Sequence, residues 1–216
     1  NTIKEGDWSA LVGGTKNFIA GFANSIVWWS DNILRSDYSS IQGWAENSIH
    51  GAPYSSIVWG NANVMTWWAV MSFIGWGQAN SIEDSSASFI GWGQNNVVSL
   101  AWNSSIVGWE SNQIQWWVWN FIGWWVNNTI DWTQSNIVWG YNNNITWARS
   151  TILWWNSNNI NNWDSSLVWG IDNQIDWYGR SIVFGRQNES TSQGWIVLWD
   201  TSKSYWVNAV AIGHNN

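Results

Sequence analysis

The chain has 216 residues, enough for one or two ordinary domains, yet only 10% of them are charged and the formal net charge is −7. Three lysines and four arginines, spread singly, exclude the basic stripe that a nucleic-acid partner needs and disfavour an anionic membrane surface. There is no cysteine for a disulfide or thiolate metal site, no apolar run near the roughly 20 residues of a membrane-spanning helix, and no visible signal peptide.

The predicted elements form one array from end to end. An aliphatic anchor recurs at Leu11, Ile26, Ile41, Ile57, Ile74, Ile90, Ile106, Ile122, Ile137, Ile152, Leu167, Ile182, Ile196 and Val210, in steps of 14 to 17 residues. Six residues after each anchor stand Asn17, Asn32, Asn47, Asn63, Asn80, Asn96, Asn112, Asn128, Asn143, Asn158, Asn173 and Asn188, then Ser202 and Asn216. Such self-similarity outranks other sequence signals and marks a repeat architecture. A second apolar position lies eight residues after the anchor, at Ile19, Leu34, Ile49, Met65, Ile82, Val98, Ile114, Ile130, Ile145, Ile160 and Ile175. Anchor and neighbour, as in Ile137-Val138 or Ile182-Val183, read together as the first apolar patch.

Helical periodicity is missing, and two strands of four or five residues joined by tight turns fit each repeat. The fold class expected is all-β: a parallel β-solenoid of about 14 coils, 14–17 residues each, as a single repeat domain over residues 1–216. Stacked at about 4.8 Å per coil, the array would extend roughly 65 Å. Both ends read as cut mid-repeat, as though the chain were a segment of a longer one. The asparagine column is expected to stack coil over coil as a structural ladder of amide hydrogen bonds. Ser39, Ser55, Ser104, Ser135 and Ser165, just before the anchors, are expected to bond local backbone in turns.

Glycine and tryptophan exchange in a way that packing does not explain. In the first eleven repeats the second and third residues after the anchor are nine Gly and thirteen Trp, as in Gly13-Gly14, Trp28-Trp29, Gly43-Trp44, Trp59-Gly60 and Trp124-Trp125. Further tryptophans, including Trp67, Trp116, Trp132, Trp147, Trp177 and Trp206, fall in the other turn. No environment accepts both residues, because glycine serves positive φ or close backbone approach and tryptophan is penalised there. One reading is a source that decodes UGA as glycine, which would make 19 Gly plus 27 Trp into 46 glycines. The other is a protein that is truly rich in tryptophan. Both share one fold and differ in surface.

With Trp read as Gly, the chain becomes a run of Ser-Ile-Val-Gly-Gly-x-x-Asn-x-Ile units. These, with the tail Asn208-Ala209-Val210-Ala211-Ile212-Gly213, resemble the head repeats of trimeric autotransporter adhesins of the YadA type. The resemblance implies a left-handed β-roll, assembly as a homotrimer, display outside the cell at a bacterial surface, and attachment to a host or neighbouring-cell surface protein or glycan. Most repeats here carry Gly-Gly where that family prefers Ala-Ile-Gly or a relative, and the family's neck, stalk and membrane anchor are not in this chain. Similar repeats also occur in phage tail fibres.

Chemistry is sparse. His50 and His214 stand in different repeats, and no metalloprotease, nucleophile-elbow or phosphate-loop motif occurs. A calcium-binding roll would need an acidic column; Glu83, Asp131 and Asp176 recur nine residues after the anchor, but Ala20, Arg35, His50, Gln115 and Thr146 break it. Asp131, Asp172 and Asp176 are the one carboxylate group that could converge. The expectation is a non-enzymatic adhesive or structural module with no catalytic residue, cofactor or metal. The alternative is a carbohydrate-binding solenoid that uses exposed indole faces.

Overall fold

A computed structural model of the chain describes residues 1–4, 7–132, 134–147, 149–177, 180–191, 195–204 and 210–213. Trp206, Asn208, Ala209, His214, Asn215 and Asn216 lie outside the described residues. Two compact units emerge, residues 1–111 and 112–216. Each is a parallel β-solenoid: every coil contributes one short strand to each of two sheets, and strands pair only with the equivalent strands of neighbouring coils. No helix occurs among the described residues.

Register follows the sequence repeat. In the first unit Ile57 of strand Ser56–Asn61 pairs with Ile74, and Ile74 with Ile90. On the other sheet Ile49 pairs with Met65, Met65 with Ile82, and Ile82 with Val98. All of these side chains are fully buried. The core is therefore two facing columns of one aliphatic residue per strand. Strand alternation turns each neighbour outward, so Val138 beside buried Ile137 is 40% exposed.

Two buried polar columns flank that core. Each asparagine donates its N–H and its side-chain amide to the side-chain oxygen of the asparagine one coil earlier: Asn47 to Asn32 at 3.1 and 3.0 Å, Asn80 to Asn63 at 3.0 and 3.1 Å. The same amide reaches forward to a backbone carbonyl of the following coil, Asn47 to Gly60 at 2.8 Å and Asn80 to Gly93 at 2.7 Å. In the second unit Asn128, Asn143, Asn158, Asn173 and Asn188 repeat the N–H bond to the preceding asparagine. Asn17 opens the first unit's column on the side chain of Asn1, and the N–H of Ser202 ends the second on Asn188. Before each of these asparagines the chain turns through a left-handed residue, from Lys16 (φ 55°) and Asp31 (φ 56°) through Ala62 (φ 55°) to Gln187 (φ 56°), and Thr201 (φ 57°) does the same before Ser202.

The opposite turn has its own ladder. Asn24 accepts from the N–H of Ser39, Ser39 from Ser55, Ser55 from Ser72 and Ser72 from Ser88, at 3.0 to 3.2 Å. In the second unit Asn120, Ser135, Ser150, Ser166 and Ser181 do the same. Ser39, Ser55, Ser104 and Ser135 thus bond coil to coil while buried; Ser39 also keeps a local bond, to the carbonyl of Asp37 at 2.9 Å.

One register expectation is corrected. From the eleventh repeat the buried residue is Val168, Val183 and Val197, not Leu167, Ile182 and Ile196, and the ladder serine is Ser166, not Ser165. A bulge between Ile152 and Trp154 shifts the pairing, so that Ile152 meets Val168 while Trp154 meets Trp169. Slipping one residue exchanges the two faces of a strand. Leu167, Ile182, Ile196 and Val210 consequently form one outward row, paired coil to coil.

Asn80→Ala deletes the acceptor of two bonds from Asn96 (3.0 and 3.1 Å) and both side-chain donations of Asn80. Urea unfolding should show a loss of about 3 kcal/mol, with an unchanged slope. The same change at exposed Asn161 should stay within about 0.5 kcal/mol.

Candidate functional site

The feature that distinguishes this solenoid is the turn just before the asparagine column. Counting from the sequence anchors, the third residue is glycine at 14, 60, 77, 93, 140, 170, 185 and 213 and tryptophan at 29, 44, 109, 125, 155 and 199. The rule holds in all fourteen repeats, beyond the eleven from which it was first read. Seven of the glycines, Gly60 through Gly213, have φ between 118° and 145°, a region open to almost no other residue. A Cβ built on Gly14, Gly60, Gly77, Gly93, Gly140, Gly170 or Gly185 would lie 1.7 to 2.2 Å from the carbonyl oxygen of the same turn one coil on. On the first six of these it would also lie 2.5 to 2.7 Å from the amide nitrogen of the ladder asparagine. That carbonyl is the acceptor of the asparagine's forward bond. Ladder and glycine are one device: the bond runs through the space a side chain would fill.

Tryptophan in that column sits on a displaced backbone. Trp29, Trp125, Trp155 and Trp199 have φ of 65°, 90°, 81° and 81°. Trp44 and Trp109, each preceded by glycine, are not left-handed. Over the described chain thirteen tryptophans have φ between 28° and 155°. At about 1–2 kcal/mol each for a left-handed residue with a side chain, their sum rivals the whole stability of a domain, about 5–15 kcal/mol. No tryptophan whose side chain is described joins the core, and Trp29, Trp44, Trp109, Trp125 and Trp155 are between 50% and 61% exposed.

The second position after the anchor differs. At Gly13 and Trp28 it is left-handed too (φ 79° and 71°), but from Trp59 on its tryptophans lie in strand and the position accepts other side chains, since Trp169 pairs with Phe184, Phe184 with Leu198 and Leu198 with Ile212. Here Trp59, Trp76 and Trp92 stack coil over coil with centroids 6.2 and 5.3 Å apart. With Trp44 and Trp109 they line a groove of about 560 Å³ whose polar rim includes Asn61, Gln78, Gln94 and Glu110. In the second unit Trp124, Trp139 and Trp154 stack likewise, at 6.2 and 5.0 Å.

The remaining candidates do not converge. Asp131 and Asp176 stand three coils apart, through the pairs Asp131–Thr146, Thr146–Asn161 and Asn161–Asp176, or about 14 Å at the usual strand spacing. Asp172 is exposed in a left-handed turn. Glu83, between Thr66 and Ser99, accepts a bond from Ser81 at 2.7 Å. His50 packs its ring edge against Trp67, 5.1 Å away. Among the described residues no three His, Asp or Glu side chains come close enough to hold a metal ion. Compared with known proteins, the chain matches no family model and no curated sequence.

Among the described residues Asp131 carries the one resolved pKa perturbation. Its Oδ1 is buried without a hydrogen-bond partner, and desolvation raises its pKa above the ordinary 3.8. A raised carboxyl pKa favours the protonated form in the folded state, so the destabilisation is absent at low pH and grows as pH rises through the carboxylate range. Asp131→Asn should therefore be more stable than the parent at pH 7, with the difference gone by about pH 3. Thermal melts across that range test this; an unchanged or larger gap at low pH would contradict it.

Proposed function

We propose that the chain is a non-enzymatic adhesive and structural module, displayed outside the cell at a bacterial surface and working as a homotrimer. It attaches to a host or neighbouring-cell surface protein or glycan and uses no cofactor. Three things support this reading. The first is the resemblance of the repeat to the heads of trimeric autotransporter adhesins. The second is the pair of polar ladders, which spends the interior of each coil on rigidity. The third, which carries the assembly, is the outward row Leu167, Ile182, Ile196 and Val210: the last three are 37%, 39% and 60% exposed and belong to no core of their own chain. An aliphatic row repeated at coil spacing is self-complementary with the same row on a second and third copy, and burying it would stabilise a parallel bundle. Many identical weak contacts along such a surface would gain strength by avidity.

Light scattering on the purified chain should give a trimer mass, and Ile182→Lys with Ile196→Lys should shift it toward monomer. Immobilised protein should retain cells, with retention falling in the monomeric variant. A folded, concentration-independent monomer for the parent would overturn the assembly.

A second reading rests on the tryptophan-lined groove at Trp59, Trp76 and Trp92, whose exposed indole faces suit the apolar faces of sugar rings. Glycan-array binding abolished by Trp76→Ala would favour it.

A further inference from the structure

We infer that the third position after every anchor is glycine in the protein as its source cell makes it, and that Trp29, Trp44, Trp109, Trp125, Trp155 and Trp199 are UGA codons decoded as glycine. The inference does not depend on what the module binds.

Two positions of the same turn differ in φ and in the room left for a side chain. At the fifth position the backbone is left-handed in thirteen coils, with φ from 52° to 58°. There the residue varies freely: Lys16, Asp31, Glu46, Ala62, Asn95, Gln187 and others. This is the spread expected where a side chain has room and only φ is unusual. Neither glycine nor tryptophan occurs at that position among those coils. At the third position the residue is only ever glycine or tryptophan. No Ala, Ser, Asn or Asp appears, although Asn and Asp tolerate a left-handed turn best after glycine.

Space explains the glycines. A Cβ on Gly60 or Gly77 would meet the next coil's carbonyl oxygen at 1.8 or 1.7 Å, so that even alanine would force the backbone of the turn to shift. A position that excludes a methyl group does not select an indole. The tryptophans sit on a shifted backbone, yet their own coils make the same forward bond: Asn32, three residues after Trp29, to the carbonyl of Trp44 at 3.0 Å, and Asn47, three after Trp44, to that of Gly60 at 2.8 Å. Trp155 stands between Gly140 and Gly170 in the column, and Trp199 between Gly185 and Gly213. What alternates is the letter, not the site.

A change of codon meaning produces this pattern without any change of side chain. UGA lies one base from the glycine codon GGA, so a cell that reads both as glycine lets them drift into one another wherever glycine is required. Translation with the standard assignment of that triplet then writes tryptophan at a random subset of glycine sites, and nowhere that tryptophan alone would be chosen. The core columns, where a genuine aromatic would be selected, hold none among the described residues. Every other UGA follows the same rule. If the codons for Trp59, Trp76 and Trp92 are UGA, the groove at those residues becomes a flat glycine edge and the sugar-stacking surface disappears.

The test is made on protein isolated from the source cell and on its gene. Trypsin cutting after Lys16 and Arg35 releases the peptide from Asn17 to Arg35, whose only tryptophans are Trp28 and Trp29. Tandem mass spectrometry should show glycine at position 29 and a peptide lighter by one or two tryptophan-to-glycine exchanges. The gene should carry UGA at all six third-position sites. Tryptophan at residue 29 in the isolated peptide, or UGG at the six codons, would overturn the inference. Adhesion or trimer assays can fail without touching either readout.

Discussion

The asparagine amide that reaches two coils at once is the constraint on which the remaining geometry hangs. Its oxygen takes two donors from the next asparagine, and its nitrogen bonds backward to the previous asparagine and forward to a turn carbonyl. A group that satisfies so many bonds inside the fold leaves little desolvation penalty, and a break in it leaves several buried donors and acceptors unmet. To place the amide there, the residue before it turns left-handed, and a side chain on the residue three before it takes that turn away from the φ that most of the glycines adopt. Stacking distance, turn shape and glycine requirement are thus one condition stated in three places. The serine column of the second turn links its coils with a shorter group, its hydroxyl reaching forward to the carbonyl of Ala52 or Ala101 instead of across to a second amide, and it does so with Ser36 or Ser85 in place of the glycine.

Such an arrangement suits a narrow fold. Two facing aliphatic residues per coil bury less apolar surface than a globular core of equal length, so the balance against conformational entropy leans on ladders that only parallel stacking supplies. This also places the vulnerability. Loss of one core methyl affects two neighbouring coils, whereas loss of one ladder amide removes bonds to the coil before, the coil after and the turn carbonyl together.

The repeat made much of this legible. Identical residues six after an aliphatic anchor can stack only if coils are equal and parallel, so the asparagine column and the solenoid came from one observation. Face assignment was harder. Leu167-Val168 and Ile182-Val183 offer two β-branched or aliphatic residues in succession, and composition does not say which points inward; a bulge after Ile152 decided it. The second ladder was half seen. Its serines stood out, but Asn24 and Asn120 take their places without matching letters, and the signal that unites them is position relative to the next strand. The left-handed residue before each asparagine left no trace, because Lys16, Glu46 and Gln187 carry no glycine-like signature. Where a side chain has room, positive φ is silent in sequence.

The exchange of glycine with tryptophan was visible from the start, yet the sequence could not separate its two positions. From Trp59 on, the tryptophans at the second residue after the anchor lie in strand, where Phe184, Leu198 or Ile212 also stand; the third, at its glycines, is closed by the neighbouring coil. A tryptophan at the second position is therefore a statement about surface, and a tryptophan at the third a statement about decoding. The distinction carries through to function. An aromatic column and a bare glycine edge present the same backbone to solvent, but one offers stacking faces to a sugar and the other offers close approach to another chain. The ladder fixes where that edge lies, and the identity of the residues on it decides what can come near.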